Sequence, residues 1–418
     1  MIPQENRIWI GVDWGDRAHT VCVLDDAGAV LLKKVVPHSP AGLRDMTGAV
    51  SALGPVGGAA IEDAQGLAGQ ALLAEGWPVY CINPKLSYAW RKAWSVSEAK
   101  TDGRDAHMLA DGLRQQHARL RPVPAVPAAI RGLALLCEDE RRLIAQRTAL
   151  VQQLQAALKR YFPVALAYFD NWTSPSAWDF LLTFPTPESL ARATTRKLMG
   201  FFKTHRLAPT PARQAQIKDR ARALDWHVAP EVVEVKARLA QTTAKLLRTL
   251  QSQLDEYRKV IETAAAAQPQ TALVASLPGA GAKLAPRLLA HILPILDQCA
   301  SADSLMMLGG VSPVLFESGK HKRVRMRHAC QKGFRATLHL FAAQSTCWCS
   351  WARAFYDLAR HRGQSHALAL RNLARKWLKI LFRMLKTNAP YDEELYLKQL
   401  HLKNPALTKY MDSAKAGG

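Results

Sequence analysis

The feature that most constrains the fold is the change of hydrophobic period within the first eighty residues. Arg7–Val12, Thr20–Leu24 and Val30–Val36 are short apolar runs of strand length, and Asp25-Asp26-Ala-Gly28 between the last two has the composition of a hairpin turn. The period then lengthens. A helical stretch covers Ala41–Leu53, a strand ends at Ile61, a helix covers Gln65–Glu75, and a strand over Pro78–Ile82 stops at Asn83-Pro84, before helical pattern resumes through Leu113. Three leading strands followed by strand–helix alternation predict an α/β domain of the RNase H type.

Arg121-Pro-Val-Pro-Ala-Val-Pro127 has several fixed φ angles in a row and predicts a hinge and a domain boundary. Beyond it, residues 129–162 read as one long helix, with Leu136, Leu143, Leu150 and Ala157 recurring at seven beside Leu154 and Tyr161. A Pro- and aromatic-rich stretch, 163–230, interrupts the pattern. A second long helix over 231–265 then aligns Val232, Val235, Leu239, Leu246, Leu250, Tyr257 and Ile261 on one stripe. Two such helices around an insert predict an antiparallel coiled coil or dimerisation arm, although periodicity alone equally accommodates a helical bundle. From residue 271 the chain reads as mostly helical.

Charge divides the chain at the hinge. Residues 1–120 hold 12 Lys/Arg and 13 Asp/Glu and net −1, so the remainder, with 44 against 21, carries +23. An excess spread over a helical body, rather than packed into a tail, makes a polyanion the expected partner. The N-terminus turns charged at once and no stretch reaches the ~18 apolar residues of a membrane span. The seven cysteines are scattered without a C-x-x-C pair. These features predict a cytoplasmic protein with no membrane partner.

Four carboxylates form a constellation. Asp13 ends the first strand, Glu62 ends the fourth, and Lys100-Thr-Asp102-Gly-Arg-Asp105 opens a helix with two acids three apart on one face. A carboxylate at the end of a buried strand needs a cationic partner. Oxygen ligands of this kind suit a pair of Mg2+ or Mn2+ ions. Singly, each acid has a plainer reading: Asp13 as a turn residue, Glu62-Asp63 as a cap for the next helix, and Asp102 as an N-cap.

A second constellation is basic. Gly309-Gly-Val-Ser-Pro313 and Ser318-Gly lead into residues 318–335, which carry seven Lys/Arg and no acid: Lys320, Lys322, Arg323, Arg325, Arg327, Lys332 and Arg335. A serine beside such residues is ordinarily a turn residue or a phosphate contact; as a nucleophile it would need this charge to stabilise its alkoxide. Leu277-Pro278-Gly279-Ala-Gly281 has the form of a helix–hairpin–helix element, whose amides grip phosphate, or simply of a loop that starts a core helix. Over Leu368–Lys386, Arg371, Arg375, Lys376, Lys379, Arg383 and Lys386 form a stripe without acids, expected to meet phosphates.

Val-Asp13-Trp-Gly, Ile-Glu62-Asp, Lys100-Thr-Asp102-Gly-Arg-Asp105-Ala, Pro278-Gly-Ala-Gly, Gly-Val-Ser-Pro313 and Ser318-Gly, in this order, resemble the DEDD transposases of bacterial insertion sequences. More narrowly they resemble the group that works with a structured bridge RNA, over about 7–130 and 270–390. The resemblance implies a RuvC-like domain over 1–125, a helical coiled-coil region over 126–268, a mainly helical transposase domain over 269–390 and a C-terminal tail over 391–418. It implies Asp13, Glu62, Asp102 and Asp105 as metal ligands and Ser318 as a nucleophile that forms a phosphoserine with DNA. The basic residues 320–335, with Gly279 and Gly281, would bind nucleic acid. The implied partners are a noncoding guide RNA, donor and target double-stranded DNA, and further copies of the chain in a dimer or tetramer. Two other classes remain open: a RuvC-type nuclease or junction resolvase with no covalent step, and an inactive nucleic-acid-binding derivative. An actin-like sugar kinase would need glycine-rich phosphate loops beyond the one at Pro278.

Overall fold

A computed structural model of the chain describes residues 6–94, 101–208, 210–319, 321–403 and 405–416. It divides into two compact units, Met1–Ala125 and Val126–Gly418. Among the described residues, no helix is long and apolar enough to cross a membrane.

The first unit is one mixed sheet with helices. Its elements are β1 (Ile8–Asp13), β2 (Ala18–Leu24), β3 (Val30–Pro37), α1 (Pro40–Ser51), β4 (Val56–Ile61), α2 (Leu67–Ala74), β5 (Val79–Cys81), α3 (Pro84–Trp94) and α4 (Asp102–Gln116). The strand order is β3-β2-β1-β4-β5. The hairpin-linked β1, β2 and β3 run antiparallel, whereas β4 lies parallel to β1 and β5 to β4. Ile8, Ile10 and Val12 of β1 pack with Val21, Val23, Ile61, Met46 and Leu72 on one face. Trp9 enters a second cluster with Leu109 and Leu113 of α4 on the other. β1 is therefore buried on both faces, which explains its unbroken apolar run.

The second unit begins with α5 (Ala128–Tyr161). Five short helices follow: α6 (Pro163–Leu166), α7 (Pro175–Thr183), α8 (Pro187–Ala191), α9 (Thr195–Thr204) and α10 (Pro211–Lys218). The chain returns along α11 (Pro230–Ala266). Arg147 bonds Gln251 and Arg258 reaches Glu140, so the two long helices run antiparallel. The insert packs its own aromatic core, including Tyr161, Trp172, Trp178, Phe180 and Phe202, against one end of this pair. The seam differs from the expected stripe. Ala237, Ala240, Ala244, Leu247, Leu254 and Ile261 are buried, while Val232, Val235, Leu239 and Leu246 face solvent. The alanines allow close approach of α5 and the bulky aromatics, so the helix turns its small-residue stripe inward.

The rest of the unit is a helical body with one hairpin: α12 (Gln270–Ala275), α13 (Gly281–Ile292), α14 (Ala302–Leu308), β6 (Pro313–Ser318), β7 (His321–Met326), α15 (Lys332–Trp348), α16 (Ser350–His361), α17 (His366–Thr387), α18 (Glu393–Lys403) and α19 (Pro405–Ala416). Leu400 of α18 and Leu407 of α19 join the main core, so these helices are packed structure where a tail was expected.

Arm and body are joined by a buried ion cluster. Glu140 of α5, 3% exposed, accepts from Nε and Nη2 of Arg287 on α13 and lies 3.4 Å from Arg258 of α11. Removing the carboxylate leaves two guanidiniums facing each other without a counter-charge. Glu140→Ala is expected to cost about 2–4 kcal/mol in urea unfolding, near the lower end for a broken buried pair because both arginines can turn partly to water.

His291 stacks on Phe334 in the same core. Burial, opposed by Glu138 and reinforced by Arg141, pushes its imidazole down to about 4. The folded protein therefore resists a proton that the unfolded chain accepts near pH 6.5. Stability is expected to be full above pH 6.5 and to fall towards pH 4. His291→Gln should flatten that part of the stability–pH curve, and an unchanged slope would show the imidazole is not its source.

Candidate functional site

The acids expected to act together lie at one edge of the first unit. Val12 pairs with Ile61 in parallel register, so Asp13 and Glu62 emerge side by side at the C-terminal ends of neighbouring central strands. Helix α4 crosses the sheet over β1. A Cβ on Gly11 would stand 2.0 Å from the Ala106 carbonyl oxygen and 2.5 Å from the Ala110 nitrogen, so only glycine admits the helix there. Trp9 meets His117, just past the end of α4, at 4.5 Å between rings. Because Trp9 lies beside the C-terminal end of α4 and Gly11 beside its middle, the helix runs opposite to β1. Its first turn, with Asp102 and Asp105, therefore points to the edge that carries Asp13.

Helix α3 engages two of these acids. Ser87 Oγ donates to Glu62 Oε1 at 2.6 Å, and one turn later Arg91 Nε donates to Asp105 Oδ1 at 2.9 Å. Asp105 is buried and Asp102 exposed, while Asp13 and Glu62 are half-buried. Asp63 accepts from the Gln65 amide in the turn before α2, whose N-cap is Gly66 with no side-chain bond, so neither acid of the pair caps that helix. The turn after Asp13 is pinned by His19, whose Nδ1 accepts from the Gly15 amide while Nε2 meets His38 Nδ1 at 2.8 Å. Burial, then the neighbouring His38, lowers the His19 pKa and favours its neutral form.

In donor type the four acids fit a hard divalent cation. In distance, among the described residues, no three His, Cys, Asp or Glu side chains converge on one point. Arg91 is the cation that satisfies buried Asp105. Ser87 and Arg91 were missing from the sequence reading, and their four-residue spacing on one helix was the only signal.

The expected serine lies in the second unit. Strands β6 and β7 pair antiparallel as a hairpin within a region expected to be mostly helical, with Phe316 opposite Arg323, Glu317 opposite Lys322 and Ser318 opposite His321. Ser318 is exposed at its tip, followed by Gly319 at φ +55, which a tight turn requires. Val314, Phe316, Ser318, His321, Arg323 and Arg325 share one face, and the Arg325 guanidinium sits 4.9 Å over the Phe316 ring. Leu315 and Val324 on the other face are 64% and 67% exposed. Alternating arginines conceal the apolar period of this strand pair. Lys100 and Lys320 lie outside the described residues, as does the side chain of Lys322. Lys332 opens α15 on the surface, and Arg335, one turn on, bonds the Arg327 carbonyl. Gly279, at φ +82, packs against the Gln344–Ser345 backbone, where a Cβ would come within 2.9 Å, whereas Gly281 faces open space.

The DEDD transposase model of the IS110 type matches residues 10–163, and the model of the IS116/IS110/IS902 transposase family matches residues 271–357. The chain belongs to the IS110-type DEDD transposases. A Streptomyces coelicolor protein named as the transposase for the IS117 mini-circle is 28% identical over 93% of this chain and 96% of its own. The 42 kDa protein of insertion element IS900 from Mycobacterium paratuberculosis is 26% identical over 92% and 97%. The 43.6 kDa protein of IS110, also from S. coelicolor, is 27% identical over 93% and 96%. Membership makes the chain an enzyme of an insertion element that acts on DNA, in a family whose acids imply divalent-metal dependence. The first matched span of this transposase contains all four acids and the second contains Ser318, while α17 lies outside both.

Arg91→Ala leaves Asp105 buried with no counter-charge and is expected to cost about 1–3 kcal/mol. Adding Asp105→Asn to that variant should cost less than the same change in the native chain. Additive losses in a double-mutant cycle would show the pair carries no coupling.

Proposed function

We propose that this transposase is an RNA-guided DNA recombinase in which Ser318 attacks a DNA phosphodiester while Asp13, Glu62, Asp102 and Asp105 hold Mg2+ or Mn2+. The observation that carries the reading is the pairing of two features: four acids directed to one edge of an RNase H-type strand order, and an exposed serine at the tip of a cationic hairpin. The sheet order β3-β2-β1-β4-β5, with three antiparallel strands leading, supports the RuvC-like assignment of residues 1–125. Bound there, a divalent cation would supply charge neutralisation at the scissile phosphate.

In the covalent step the Ser318 Oγ–P bond forms as the bond from phosphorus to a deoxyribose oxygen breaks. The serine proton passes to His321, its neighbour across the turn, and the departing oxygen takes a proton from solvent. Arg323 and Arg325, on the face of Ser318, hold the phosphate and offset its developing charge. Attack by a second deoxyribose hydroxyl reverses the step and frees the serine. One phosphodiester is exchanged for another, so no energy source is required.

The guide RNA and the pairing of donor and target DNA rest on the family resemblance, and the basic body offers the charge to hold them. The solvent-facing Val232, Val235, Leu239 and Leu246, at spacings of three, four and seven residues, support assembly of the arm with further copies in a dimer or tetramer. Residues 126–268 then act as that arm, and 269–390 as the domain carrying the nucleophile.

With nicked DNA substrate, Mg2+ and copurified RNA, the native protein is expected to form a denaturant-resistant protein–DNA adduct. Ser318→Ala should abolish the adduct and Asp13→Ala should lower its yield at least a hundredfold, about 2.7 kcal/mol in barrier. Metal-dependent cleavage that survives Ser318→Ala without an adduct would replace this reading with a hydrolytic nuclease of the RuvC type. Binding without cleavage in either metal would make the chain an inactive derivative.

A further inference from the structure

Between Glu317 and Asp392 the sequence carries sixteen Lys and Arg and a single acid, Asp357. That acid is engaged by Arg353 on its own helix at 2.6 Å. Helices α15 and α17 contain no carboxylate at all, and yet they pack against each other. The inner face of α17 is fixed: Trp377 donates to Ser345 Oγ of α15 at 2.8 Å, with Leu373, Ala374, Leu378 and Leu381 buried around it. Arg371 and Arg375, one turn apart on α17 and outside this inner face, are each half-buried.

Their surroundings are unusual in one respect. Nε of Arg371 and of Arg375, Nε2 of His339 on α15 and Nε of Arg327 are buried without a hydrogen-bond partner among the described residues. Burial and, after it, the charge of Arg335 lower the pKa of Arg371. Burial, then Arg371, Arg335 and His366, does the same to His339. Cations drawn out of water and set beside like charges destabilise a fold unless something compensates them. On its other side, α17 borders a groove against α16, lined by Phe355, Asn372, Arg375, Lys376 and Lys379. Tyr356–His366 and Asn372–Gln364 hydrogen bonds at 2.8 and 2.9 Å tie α16 and the turn after it to α17.

We propose that the α15–α17 seam and the adjoining groove form a phosphodiester-binding cleft in which Arg335, Arg371 and Arg375 hold successive backbone phosphates of a nucleic-acid strand. Lys379 extends the track, and the Phe355 ring gives an apolar floor for a sugar or base. The cleft starts at the foot of the Ser318 hairpin, because Arg335 bonds the Arg327 carbonyl directly after β7. The inference rests on the chain acting on nucleic acid and is independent of any chemistry at Ser318.

The test uses the full chain carrying Ser318→Ala, so that failure of the serine reading leaves it intact. Arg371→Gln/Arg375→Gln is compared with Arg371→Lys/Arg375→Lys for binding to duplex DNA, single-stranded DNA and RNA of one sequence, across a salt series. The neutral pair is expected to bind one of these at least tenfold more weakly. Its slope of log K against log salt should be lower by about 1.4–1.8, two phosphate contacts. The lysine pair should retain most of the slope. The melting temperature of the neutral pair should hold or rise, since repulsion has been removed. The probe that loses slope identifies the strand. An unchanged slope on all three probes overturns the proposal, as does a fall in melting temperature with the native slope in the folded protein. Should the double variant fail to fold, each single Gln variant is expected to lose about half of the slope change.

Discussion

The N-terminal unit depends on one close approach, that of α4 to Gly11. With no Cβ in the way, the Ala106–Ala110 backbone lies directly on β1, and everything at the sheet edge follows from that contact. It fixes the height of the helix above the strand and sends its first turn, with two acids, to the strand end that carries Asp13. A methyl group at residue 11 would lift α4 by more than an ångström and carry Asp102 and Asp105 with it. Positioning of this kind, through a packed backbone, leaves Asp102 exposed at the start of the helix, whereas Asp105 is also gripped by Arg91.

The second unit meets the opposite problem, since its Lys and Arg outnumber its Asp and Glu by 43 to 21. Where an acid is available it is used at a junction, as Glu140 is between arm and body. Between Glu317 and Asp392, where Asp357 is the single acid, Arg323 and Arg325 project on the hairpin while Arg371 and Arg375 sit half-buried. A fold selected for stability alone would place carboxylates opposite Arg371 and Arg375. Their absence is a stability cost of the sort found where a surface is kept ready for a ligand.

The sequence made the first unit legible because its sheet strands are buried and apolar, so period and turn chemistry agree. β1, β2, β3, β4 and β5 all fall within two residues of the runs that suggest them. The two long helices were equally visible, but not the face that α11 buries. A stripe of Val and Leu outranks a stripe of alanines in hydrophobicity, while close packing against α5 favours the smaller side chains. The hairpin at 313–326 was hidden by the arginines that alternate along β7. For the acids, order and strand-end position could be read directly. The grip of Ser87 and Arg91 could not, because it depends on where α3 lies in space.

That grip bears on how the acidic edge is held. Asp105 is too buried to stand as an unpaired anion, so a cation at its oxygens is a condition of folding. The Arg91 guanidinium meets the condition from the next helix and directs two donors at most toward one carboxylate. If Asp105 is also a metal ligand, ion and arginine draw on the same lone pairs, and stronger hold by one weakens the other. Glu62 accepts from the Ser87 hydroxyl, which yields more readily than a charge. The two acids that α3 touches therefore differ in what freeing them costs, with Asp105 the harder to release.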